Sequence, residues 1–78
     1  ASDVYKRQVL RRIAVYKYSN RLNSLTKQQL SLEANAPIRS VNRAIAKSAR
    51  DGLFTYQNHQ FEVLNEHAIM NFLPEALK

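Results

Sequence analysis

The stretch Thr26 to Arg43 (TKQQLSLEANAPIRSVNR) limits the fold more than any other part of the chain. Thr26 is a good helix N-cap, and Gln29, three residues on, can return the bond in a capping box. A helix is expected over about 27 to 34. Asn35 follows where the chain must reverse, and Asn tolerates left-handed backbone better than any residue but Gly. Pro37 can open the next helix in its first turn, where its missing N–H costs nothing. Two short helices joined by so tight a turn spell a helix-turn-helix.

The flanking segments complete a small domain. Leu10, Ile13, Ala14 and Lys17 or Tyr18 follow helical spacing, with Arg11, Arg12 and Arg21 largely on other faces, which predicts a first helix over about 5 to 21. The third helix, about 37 to 50, places Val41, Ile45 and Ala49 or Ser48 on one face, with Ala44 beside them. Its opposite face carries Arg39, Asn42, Arg43, Ala46 and Lys47. Asp51-Gly52 ends it, with Gly52 as a left-handed cap. Leu53 to Tyr56 and Gln60 to Leu64 are rich in aromatic and branched residues and predict a hairpin turning through Gln57, Asn58 and His59. Asn65 caps a last helix of about 66 to 73, which returns Ala68, Ile69, Phe72 and Leu73 to the core before Pro74. The expected fold is mostly α with a small β-hairpin: a winged helix-turn-helix with a three-helix core, a two-stranded wing and a C-terminal helix. Leu10, Ile13, Leu25, Leu30, Ala34, Val41, Ile45, Leu53, Phe54, Val63 and Ile69 are the predicted core.

At 78 residues and 45% hydrophobic content the chain supports one domain with a modest core. The net charge of +6 is unevenly placed. Residues 1 to 50 hold eleven Lys and Arg against Asp3 and Glu33, a balance of +9, and residues 51 to 78 hold Lys78 against Asp51, Glu62, Glu66 and Glu75, a balance of −3. A basic half that contains the helix-turn-helix fits a polyphosphate partner bound through counterion release; a solvated basic face is the other reading of the charge alone. The lack of Cys removes disulfides and thiolate metal sites, and His59 and His67 make no metal site without further ligands. No metal or other cofactor is expected. No apolar run approaches the roughly 18 to 20 residues of a membrane span, so no membrane association and a cytoplasmic location are expected.

Asp3 to Gln8 (DVYKRQ) resembles the in-frame translation of a transposon mosaic-end adapter used in sequencing libraries. On that reading residues 1 to 8 are a non-native leader and residues 9 to 78 the domain; the other reading is a native helix start. Without residues 3 to 8 the net charge is still +5, since Lys6, Arg7 and Asp3 leave together.

Leu25 to Asn65 resembles the C-terminal DNA-binding domain of the Crp/Fnr transcriptional regulators, without gaps from Leu25 to Phe54. The resemblance rests on the LTKQQL opening, the turn at Asn35-Ala36, Ser40-Val41-Asn42-Arg43, and the Asp51 to Phe54 exit into the wing. It implies sequence-specific binding of double-stranded DNA. Thr26, Lys27 and Gln28 would touch phosphates and set register, while Arg39, Ser40 and Arg43, with Asn42 alongside, would read base edges. Arg43 would engage guanine O6 and N7 through two parallel bonds, and its competing assignment is an ion pair with Glu33 or a helix end. Lys47 is a phosphate contact or a solvated residue, and His59 at the wing tip is a phosphate or minor-groove contact or an exposed turn residue.

Two positions depart from the family pattern. Ile38-Arg39 stands where well-known members carry Arg-Glu, so an acid able to accept from cytosine is replaced by a base. Glu33 takes a position that is usually apolar, with Leu32 on the outer side. The resemblance also implies a parent regulator with a sensor domain and a dimerisation helix beyond this chain, acting as a homodimer, with RNA polymerase as a further partner.

Catalysis finds no foothold: the chain has no paired-carboxylate, Ser/His/Asp, Cys/His or Gly-rich phosphate motif, and only one Gly. The alternatives are a winged-helix protein-interaction module and a DNA-binding winged helix of another regulator or replication-initiator family. Basic groups at Arg39, Arg43 and Lys47 weigh against the first.

Overall fold

A computed structural model describes residues 3 to 78. Four α-helices and one hairpin follow in the order α1 (Asp3–Tyr18), α2 (Lys27–Ala34), α3 (Ile38–Arg50), β1 (Phe54–Gln57), β2 (Gln60–Val63) and α4 (Glu66–Met70). Single 3-10 turns lie at Leu22–Ser24 and Glu75–Leu77. The molecule is a winged helix-turn-helix: three packed helices, a two-stranded antiparallel wing and a closing helix.

One device ends each of the three main helices. Asn20 (φ 58), Asn35 (φ 53) and Gly52 (φ 74) are left-handed. The N–H of each reaches back three residues, to the carbonyls of Lys17, Leu32 and Ala49, and the next N–H reaches back five, to those of Tyr16, Ser31 and Ser48. This double bond satisfies carbonyls that a helix end leaves open and reverses the chain within two residues. The expectation at Asn35 and Gly52 is met. The first helix was expected to reach residue 21; the same device at Asn20 stops it at Tyr18 and leads into the first 3-10 turn.

Thr26 caps α2, its hydroxyl accepting the Gln29 N–H at 3.0 Å. The reciprocal half of the capping box is not formed, because the Gln29 amide donates to Glu33 at 2.6 Å instead. Pro37 is the N-cap of α3 rather than its first residue, with ψ 151 and a carbonyl that accepts from Ser40 and Val41. Asn65 caps α4 through a 3.0 Å bond from the Ala68 N–H. That helix is shorter than expected: beyond Met70 the bonds tighten to i→i−3, yet Leu73 is still buried.

The wing turns through two residues, not three. Gln57 pairs with Gln60, and Asn58 and His59 both have positive φ (54 and 60), the backbone of a type I′ turn. The register Phe54↔Val63 and Tyr56↔Phe61 gathers these four side chains on one face, and Thr55, Gln57, Gln60 and Glu62 take the other. Phe54 and Phe61 are buried with ring centroids 6.1 Å apart, and Tyr56 stacks obliquely on Phe61 at 4.5 Å.

The core lies where α1, α2, α3 and this wing face meet. Of the predicted core, Leu10, Ile13, Leu25, Leu30, Ala34, Val41, Phe54 and Ile69 are buried. Ile45, Leu53 and Val63 are only partly buried and pack on its edge. Val9, Ala14, Tyr16, Leu22, Ala36, Ala44, Phe61 and Leu73 complete it. Within α3 the row that goes inward is Val41, Ala44 and Ser48, while Ala49 is exposed.

Candidate nucleic-acid interface

Burial of Val41, Ala44 and Ser48 turns the opposite side of α3 to solvent. That side is built of two rows at i, i+4 spacing. One runs Ile38, Asn42, Ala46, all exposed; the other runs Arg39, Arg43, Lys47, of which the two Arg are exposed and Lys47 is half-buried. Ser40, expected to read bases, is half-buried at the margin. The face therefore presents Arg39, Asn42 and Arg43 together, with Ser40 and Lys47 at its edges.

The three expected phosphate contacts on α2 are adjacent at its N-terminus. Thr26 and Gln28 are exposed. The Thr26 oxygen accepts the capping bond, and its O–H remains able to donate outward. The Leu30 N–H is taken by the Thr26 carbonyl and the Gln29 N–H by the Thr26 hydroxyl, so the N–H groups of Lys27 and Gln28 are the ones left without an intrahelical acceptor. Lys27 is half-buried, with its ammonium 5.0 Å from the centroid of the Tyr56 ring, which ties the start of α2 to the wing. A second tie runs from the Gln60 amide to the Asn23 carbonyl at 3.2 Å. His59 is exposed at the wing tip.

Ion pairing sorts the basic residues. Lys6 of α1 meets Asp51 at 2.9 Å, Arg12 meets Glu33 at 2.9 Å, and Lys17 lies 3.9 Å from Glu66. Cations of α1 thus neutralise acids on the α2, α3 and α4 segments. The side chains of Arg39 and Arg43 make no hydrogen bond or ion pair with any other described residue. The pairing of Arg43 with Glu33 weighed in the sequence is not formed, because Arg12 occupies that carboxylate.

Glu33 is the centre of a junction between α1 and α2. Its Oε1 accepts from Arg12, and its Oε2 accepts from Tyr16 Oη at 2.7 Å and from Gln29. The Gln29 amide, then the Tyr16 hydroxyl and Arg12, hold the Glu33 carboxyl below its ordinary value, and the same carboxylate raises the Tyr16 hydroxyl. Position 33 is thus polar because a buried tyrosine and an arginine need an acceptor there. Leu32 beside it is 77% exposed. A cleft of about 220 Å³ opens beside the junction, but Arg12, Tyr16 and Glu33 in its wall are already bonded to one another.

Among the described residues no group of three His, Cys, Asp or Glu could hold a metal ion, and no helix is long and apolar enough to cross a membrane. Two features of this surface go beyond what the sequence reading assigned. One is Ile38, 43% exposed in the first turn of α3; its position off the Val41–Ala44–Ser48 row was the available signal. The other is the Lys27–Tyr56 contact, which only the folded wing creates. No protein-family model matches the chain, and no curated protein or solved structure matches it either.

Proposed function

We propose that this chain binds double-stranded DNA in a sequence-specific way, laying α3 in the major groove, as the DNA-binding part of a bacterial Crp/Fnr-like transcriptional regulator. The observation that carries the reading is the pair Arg39 and Arg43, one helical turn apart, exposed and engaged by no acid among the described residues. Unpaired guanidinium groups flanking Asn42 on an exposed helix suit the acceptor edges of guanine and the mixed edge of adenine. Thr26, Lys27 and Gln28 at the start of α2, His59 on the wing and Lys47 further along α3 supply phosphate contacts that set register. On this reading the parent protein works in the cytoplasm as a homodimer, placing two recognition helices on half-sites about 34 Å apart. RNA polymerase is its further partner.

A protein-interaction role is favoured by one observation, the 77% exposure of Leu32. Binding of the full chain to a randomised duplex pool at two salt concentrations separates the two. The DNA reading expects salt-sensitive binding, an enriched half-site, and loss of about 1 to 3 kcal/mol of base discrimination in Arg43→Ala. No duplex binding at low salt would leave the interaction module.

A further inference from the structure

The geometry points to Ile38 as a thymine reader: its exposed side chain, in the first turn of α3 beside Arg39 and Asn42, packs on the 5-methyl group of a thymine in the major groove. The inference rests on the DNA-binding reading above and deepens it by naming the chemistry of one base contact.

An exposed isoleucine is unremarkable on most surfaces. Here its surroundings give it a role. Of the large apolar side chains that stand exposed among the described residues (Val4, Tyr18, Leu32, Ile38 and Leu64), Ile38 is the one on α3. It heads the row Ile38, Asn42, Ala46, which runs parallel to Arg39, Arg43, Lys47. A recognition helix reads base edges mainly through its N-terminal residues, and helical side chains lean toward that end. The α3 N-terminus carries no acid to repel phosphates, since its first turn is Ile38, Arg39, Ser40 and Val41 after Pro37.

Of the groups lining the major groove, the thymine methyl is the apolar one that projects from the base edge, and apolar side chains are its ordinary readers. The two rows then divide the work. Arg39 and Arg43 suit guanine, Asn42 suits adenine, and Ile38 suits thymine. The half-site should therefore combine a thymine with the guanine read by the arginine row.

Substituting deoxyuridine for thymine tests this, because it removes the methyl and leaves every hydrogen-bonding group in place. The full chain is first used to select a duplex from a randomised pool, and each thymine of that duplex is then replaced singly by deoxyuridine. Binding is followed by fluorescence anisotropy. One position should lose about fourfold in affinity, as expected for one methyl group withdrawn from apolar contact. Ile38→Ala should bind the thymine duplex more weakly and lose the thymine-to-deoxyuridine ratio at that position alone, while Ile38→Val keeps part of it. Circular dichroism of both variants should match the parent, since the side chain is exposed. Salt-dependent duplex binding in which no thymine shows a methyl effect, or in which Ile38→Ala keeps the ratio everywhere, overturns this inference and leaves the DNA-binding reading standing. Absence of duplex binding at any salt overturns both.

Discussion

Replacing Glu33 by alanine removes one carboxylate and strands three donors. The Tyr16 hydroxyl belongs to a side chain only 9% exposed and gives a 2.7 Å bond to a charged acceptor; such a bond is worth about 1.5 kcal/mol or more, and an orphaned buried hydroxyl costs a similar amount. The Arg12 pair has side chains 34% and 24% exposed, so screening reduces it to roughly 0.5 to 1 kcal/mol. The Gln29 amide, at i−4 on the helix surface, adds about 0.3 kcal/mol, which the better helix propensity of alanine offsets. The expected loss is about 2 to 2.5 kcal/mol, a fall in Tm of roughly 10 to 20 °C for a domain of this size. Glu33→Gln keeps a neutral acceptor and should lose about half as much.

The pH dependence has two edges with opposite signs. The Glu33 carboxyl is held below its ordinary value, foremost by Gln29, so its contribution is present above the unfolded glutamate pKa and lost as pH falls through the depressed folded value. The Tyr16 hydroxyl is raised, foremost by its bond to Glu33, so its contribution is present below the unfolded tyrosine pKa and lost as pH rises through the raised folded value. The stability gap between the parent and Glu33→Gln should therefore be widest near neutral pH and narrow toward acid. Urea titrations from pH 3 to 8 measure it. A Tm within about 3 °C of the parent for Glu33→Ala, or a gap that does not shrink in acid, refutes the account.

Three further outcomes follow from particular positions. Ser48 is fully buried and its hydroxyl has no partner among the described residues, so Ser48→Ala should stabilise the domain by about 0.5 to 1.5 kcal/mol, seen as a higher urea midpoint at unchanged slope. Asn35 sits at φ 53 between the two helices of the motif; Asn35→Gly should be near neutral and Asn35→Val should cost about 1 to 2 kcal/mol by thermal melting, with equal costs for both arguing against backbone strain as the cause. Deleting residues 1 to 8 removes the first turns of α1, the Lys6–Asp51 pair and the partly buried Tyr5, and should cost about 1 to 2 kcal/mol without changing the far-UV signature of residues 9 to 78; a completely unfolded fragment would show that the segment is part of the domain.

The elements themselves were legible because their signals are local. Thr26, Asn35, Gly52 and Asn65 act on their own backbone or on N–H groups within three residues, and apolar spacing within a helix reports which side must leave water. So the helix-turn-helix, the hairpin and the exposed arginine face could be read from order alone. Asn20 breaks the helical pattern in the sequence too, but spacing alone does not place the last helical residue, which the bonds from Asn20 and Arg21 back to Lys17 and Tyr16 put at Tyr18 rather than near 21.

Long-range partners decided the rest. Which acids meet which cations depended on α1 crossing α2, α3 and α4: Arg12 takes Glu33, 21 residues away, and Lys6 takes Asp51, 45 away, so that Arg39 and Arg43 are left to the outside. Helical spacing alone allowed either Ala49 or Ser48 to turn inward, and packing of α3 chose Ser48. Leu53 and Val63 carry the same apolar promise as Phe54 and Phe61, yet sit at the core's edge because the hairpin register and the position of α3 place them there. Elements and turns follow from residue order, since their free energies arise within a few residues; pairing, depth and therefore which charges face outward follow from packing, because those arise only between segments that the chain order keeps apart.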